Sequence, residues 1–113
     1  MENPATGILG LFELNPAGTV LYSRINAPHS SLDLPTDLVG LNFFDEIEAY
    51  ANVVELRRRF LNFAKGTDAV ENFTFTYSSE QETIKARVML TQINQRKINR
   101  TEKLIILDIR KIN

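Results

Sequence analysis

The stretch Gly40-Leu41-Asn42-Phe43-Phe44-Asp45-Glu46-Ile47 decides how the rest of this 113-residue chain is read. Glycine permits a reversal, and an asparagine two residues later can cap a helix with its side-chain oxygen. Paired phenylalanines then begin an apolar face, while Asp45 and Glu46 match the positive end of the helix dipole. The spacing predicts a short helix from Asn42 through Ile47. Downstream, residues 51–65 place Val53, Leu56, Phe60, Leu61, Phe63 and Ala64 on one broad face, with Gly66 following as a C-cap glycine would. That predicts a long amphipathic helix.

Strand signals lie on both sides of these helices. Residues 7–14 are short and apolar, Asn15-Pro16-Ala17-Gly18 has the chemistry of a tight turn, and residues 19–25 are β-branched and aromatic. Together they predict a β-hairpin. Residues 26–37 read as loop. Residues 72–77 (Asn-Phe-Thr-Phe-Thr-Tyr) alternate aromatic and polar, as a strand with one buried face does. Residues 83–93 place Ile84, Ala86, Val88 and Leu90 on one side, and residues 104–112 are strongly apolar. The polar, basic segment 94–101 reads as the hairpin loop between these last two. Strands and helices are segregated rather than alternating, which predicts an α+β domain: a five-stranded antiparallel sheet with short helices and one long helix on one face.

Composition narrows the function classes. With 43% hydrophobic and 24% charged residues the chain is an ordinary globular domain, and a net charge of −1 gives no global pull toward nucleic acid or anionic membrane. Zero cysteines exclude disulfides, thiolate metal ligands and thiol nucleophiles. No apolar run approaches the roughly 20 residues of a membrane span. The opening Met1-Glu2-Asn3-Pro4 carries no basic region of the signal-peptide kind. A cytoplasmic location is expected, with no membrane contact by this domain.

The order of elements and the G-x-N-x-F run resemble PAS sensor domains, the photoactive yellow protein branch above all. Leu14-Asn15-Pro16-Ala17-Gly18 is similar to that branch's first hairpin turn, and residues 35–44 to the segment before its chromophore site. Phe60 and Gly66 fit its long helix, Thr74-Phe75-Thr76-Tyr77 its third strand. Leu107-Asp108-Ile109-Arg110 resembles the D-x-T that ends many PAS domains, with Arg110 replacing threonine. The resemblance covers residues 7–112. It implies a single sensor domain over residues 1–113, excised from a larger signalling protein, that dimerises and controls an attached output domain. Its departures are equally informative. Phe43 stands where flavin-binding members carry their reactive cysteine, and Tyr50 where the yellow protein carries the cysteine that holds its chromophore. The yellow protein's tyrosine, glutamate and threonine positions fall on Ser23, Ala27 and Ser31, and no histidine lies in residues 51–65 for a haem. The resemblance therefore implies no covalent chromophore, no covalent flavin adduct and no haem ligand on the long helix. Any cofactor, of unknown identity, is held non-covalently.

The candidate ligand-binding residues are Phe43, Phe44, Tyr50, Arg57, Phe60 and Phe75. Arg57 projects between Val53 and Leu61 on the apolar stripe, where a guanidinium either holds a ligand's carboxylate or phosphate, pairs with an internal acid, or snorkels to water. Tyr50 either directs its hydroxyl at a ligand or fills the space a chromophore would take. The phenylalanines at helix and strand spacing read as core first. His29, the single histidine, lies in a polar loop with only Asp33 nearby, which makes no metal site. Ser30 and Ser31 have no nucleophile elbow around them. The cluster Arg96-Lys97-Ile98-Asn99-Arg100 reads as a solvated turn, not a nucleic-acid patch. A non-enzymatic sensory module follows, with two alternatives: a small α+β pocket enzyme of isomerase or hydrolase type, or a ligand-free dimerisation scaffold.

Overall fold

The computed structural model describes residues 10–25, 38–47, 53–78 and 83–112. Strand β1 (Gly10–Leu14) turns into β2 (Val20–Ile25), and two helices follow, α1 (Phe43–Glu46) and α2 (Val53–Lys65). Strands β3 (Val70–Ser78), β4 (Thr83–Arg96) and β5 (Thr101–Lys111) complete one antiparallel sheet in the order β2-β1-β5-β4-β3. The first hairpin therefore lies beside the last strand. Period-two alternation explains which face is buried. Phe12 and Leu14, Phe75, Ala86, Val88 and Leu90, and Ile105, Leu107 and Ile109 point inward, where they meet Phe43, Phe44, Ile47, Leu56, Phe60 and Phe63. Each of these side chains other than Ala86 stabilises the fold by about 1.5–3 kcal/mol. The outer face keeps Leu21, Tyr22, Met89 and Ile93 substantially exposed.

The expected architecture is present, with local corrections. Leu61, expected in the buried stripe of α2, is 36% exposed, so the stripe is narrower than the helical wheel suggests. Half of segment 94–101 is ladder: Arg96 pairs with Thr101, and only residues 97–100 turn, closed by the Lys97 N–H donating to Arg100 O at 2.7 Å. Backbone pairing between two long strands outweighs the polar composition there. Gly66 follows α2 but does not adopt the left-handed conformation of a C-cap glycine; Gly18 (φ 98°) and Gly40 (φ 92°) are the glycines with positive φ among the described residues. The expected helix start at Ala51 lies outside the described residues, as do Ala27, His29, Ser31, Asp33 and Tyr50.

Candidate functional site

Asn42 organises the junction between the first hairpin and the helices. Its backbone is extended, and its Oδ1 accepts from the N–H of Phe44 (3.0 Å) and Asp45 (3.2 Å), capping α1. Its Nδ2 donates to Ala17 O at 3.1 Å in the β1–β2 turn. Backbone bonds reinforce that tie: Phe43 N–H to Gly18 O (2.9 Å), Val20 N–H to Leu41 O (2.9 Å) and Gly40 N–H to Val20 O (2.8 Å). Within the turn, Asn15 Oδ1 accepts from the N–H of Ala17 (3.0 Å) and Thr19 (2.9 Å). The turn glycine is required twice over. Besides its positive φ, a Cβ on Gly18 would lie 3.1 Å from the Phe44 ring.

That junction delivers Phe43 and Phe44 into a chain of ring contacts. Phe12 and Phe43 centroids are 4.7 Å apart, Phe43 and Phe44 meet edge to face at 5.3 Å, and Phe44 and Phe60 lie at 5.0 Å. Three candidate residues, Phe43, Phe44 and Phe60, thus come together, and at these distances no guest fits between successive rings. Phe75 belongs to the same core from β3. Phe12 was not singled out from sequence, although its inward parity between Gly10 and Leu14 marks it. Tyr50 lies outside the described residues.

Arg57 stands at the rim, not inside the stripe. Its side chain is 45% exposed, its Nη1 lies 3.5 Å from Asp45 Oδ1, and its guanidinium carbon is 5.8 Å from the Phe44 ring centre. The guanidinium lies over the ring while the side chain stays 45% exposed, so its charge remains in reach of water. An exposed pair of this kind adds about 0–1 kcal/mol. Beside it, Arg58 and Arg59 both reach Glu55, and the hydrogen bond from Arg58 holds the Glu55 carboxyl below the ordinary range. Arg59 also approaches Glu71 at 3.4 Å and stacks 4.4 Å from the Phe73 ring centre, tying α2 to β3. Among the described residues no group of three or more His, Cys, Asp or Glu side chains could hold a metal ion.

The end of α2 explains the unused glycine. Lys103 Nζ donates to Ala64 O (2.7 Å) and Gly66 O (3.2 Å), while Gln92 Nε2 donates to Phe63 O and Gly66 O (3.2 Å each) and to Asp68 O. Carbonyls left open by the last turn are satisfied from strands β4 and β5, and an ammonium suits that end of the dipole. Sequence reasoning missed both residues. Their signal was parity, since each is a polar side chain at an inward position of an apolar alternation.

No protein-family model matches the sequence, and no curated protein matches it. Solved structures do. The PAS domain of an HTR-like protein from Haloarcula marismortui superposes with a TM-score of 0.57 at 15% identity, over 91% of this chain and 80% of that one. The PAS domain of Bordetella pertussis BvgS gives 0.59 at 13% identity, over 93% and 77%. A PAS domain from a two-component sensor histidine kinase gives 0.51 at 14% identity, over 91% and 84%. The fold of this chain is that of a PAS domain.

Proposed function

We propose that this chain is a sensory or regulatory PAS module of signal transduction, which pairs with a second copy and controls an attached output domain from the cytoplasm. The observation that carries the reading is the sheet: the fold built on it superposes on PAS domains, one of them from a two-component sensor histidine kinase, and its outer face exposes Leu21, Tyr22, Met89 and Ile93. Apolar side chains grouped on one sheet face mark an interaction surface.

The ring contacts favour a filled interior, and with it the scaffold version of this reading. A non-covalent guest would have to displace Phe44 or Phe60, with Phe43 and Phe75 behind it and Arg57 at its rim. Sedimentation equilibrium of the intact protein, with and without Ile93→Glu, tests the pairing. A dimer that Ile93→Glu dissociates is expected, and a wild-type monomer at 100-µM-scale concentration (on the order of weak specific association) sinks it. Native mass spectrometry of the purified protein decides between scaffold and sensor of a small molecule: a mass equal to that of the bare chain is the expected result.

A further inference from the structure

One pair of basic residues on the outer face is unexplained by the fold. Arg87 of β4 and Arg110 of β5 stand directly opposite each other in the ladder. Opposed residues have Cβ atoms about 5 Å apart, and like charges so placed are destabilising. Asp108 relieves one of them: Arg110 Nε donates to its Oδ1 at 3.2 Å and Nη2 lies 3.2 Å from its Oδ2. Arg87 makes no ion pair among the described residues. The Asp108 side chain is only 18% exposed while that of Arg110 is 75% exposed, so the acid fixes the arginine from beneath and leaves its outer N–H groups free. Arg87, Met89, Asp108 and Arg110 line one depression of about 150 Å³.

We propose that Arg87 and Arg110 form a receptor for an organic carboxylate. Two guanidinium groups against one aspartate leave a single positive charge, which one carboxylate neutralises. The planar fork matches a carboxylate bidentately. The Met89 side chain gives an apolar wall for the carbon skeleton that carries it, which a hydrated inorganic anion would not use. An anion bridging the two arginines turns the cross-strand repulsion into attraction. Arg110 is also the residue that stands in place of the PAS-like threonine, so the receptor belongs to this chain's own departure from that pattern. The carboxylate can come from a free organic acid or from an Asp or Glu side chain of a polypeptide laid on the sheet.

The side-chain Nε–H resonances of ¹⁵N-labelled protein report binding directly. Titrations with sodium propionate, sodium phosphate and an acetylated glutamate-containing peptide are run at constant ionic strength. Arg87 and Arg110 are expected to shift together and saturate with propionate, while Arg24 and Arg58 stay put. Arg87→Gln and Arg110→Thr should each weaken propionate binding at least about tenfold, the step that 1.4 kcal/mol makes. Running the titrations in Ile93→Glu as well keeps the result independent of pairing. Tighter binding of the peptide per carboxylate assigns the polypeptide source, and equal binding the free acid. Shifts that never saturate and that Arg58 shares, or phosphate binding tighter than propionate, overturn the proposal.

Discussion

Replacing Asn42 with alanine tests the role assigned to the stretch that decides the fold. The substitution removes two kinds of contact. Losing the cap on the N–H groups of Phe44 and Asp45 costs about 1 kcal/mol, in a range of about 0.5–2. Losing the Nδ2 donor to Ala17 O costs about 0.5–1.5 kcal/mol, toward the low end because that carbonyl can turn to water. The expected loss is about 1.5–2.5 kcal/mol. In urea, where a small domain has a slope of about 1–3 kcal/mol per molar, the midpoint should fall by about 1 M. Asn42→Asp separates the two parts, because a carboxylate still caps but cannot donate to Ala17. It should lose only about 0.5–1 kcal/mol, the value of one exposed hydrogen bond. An Asn42→Ala loss under about 0.5 kcal/mol, the scatter of ordinary surface changes, would refute the structural role. So would an Asn42→Asp protein as unstable as Asn42→Ala, since the cap would then contribute nothing.

Three further outcomes are expected. Gly18→Ala should destabilise more than Gly40→Ala in thermal melts: both glycines have positive φ, which costs an L-residue about 1–2 kcal/mol, but only at Gly18 does a Cβ meet the Phe44 ring, and equal losses would remove that contact from the account. Lys103→Met should cost about 1–2 kcal/mol and speed amide exchange in the last turn of α2 ahead of β5; uniform exchange along both would contradict the end-capping role. Stability should also fall on acidification. Hydrogen bonds from Arg58 and Arg100 lower the folded pKa values of Glu55 and Glu102 from the ordinary 4.5, so their contribution is present above that pH and is lost as pH falls through the folded values. Because both carboxylates are exposed the effect is small, and the double variant Glu55→Gln, Glu102→Gln should flatten the acid limb of a urea-midpoint profile; an unchanged limb would assign the acid sensitivity to other carboxylates.

Much of the fold was legible because its cause is local. The alternation of Phe73 and Phe75 with Thr74 and Thr76 needs only the pleat to be read, and the cap at Asn42 needs only four consecutive residues. What escaped had causes distant in sequence. Gly66 promised a glycine cap, yet the donors that end α2 come from Gln92 and Lys103, 26 and 37 residues away. Arg57 fell within the stripe on a helical wheel, but a wheel gives angles about one helix and not the point at which the sheet beneath it ends. Leu61, 36% exposed one turn further along, marks that same edge. The paired arginines were invisible for a related reason. Arg87 and Arg110 become neighbours only through the β4–β5 register, which the true length of the hairpin determines.

The division of labour in this chain follows from those distances. The run that resembles the ligand-side turn of PAS domains serves structure here: Asn42 caps and ties, Gly18 makes room, and Phe43 and Phe44 fill the interior with Phe12 and Phe60. A buried ring in contact on two sides is worth about 3–5 kcal/mol against truncation to alanine, so opening this interior for a guest would remove a large part of a marginal stability of about 5–15 kcal/mol. Charged residues on the outer face carry no such cost, because the fold does not depend on their exposed heads. New chemistry is cheapest to build there, and the sheet surface that presents Met89 and Ile93 also carries Arg87, whose guanidinium makes no ion pair among the described residues. In a domain whose core is closed by its own aromatics, the contacts proposed here with other molecules fall on the outside of the sheet.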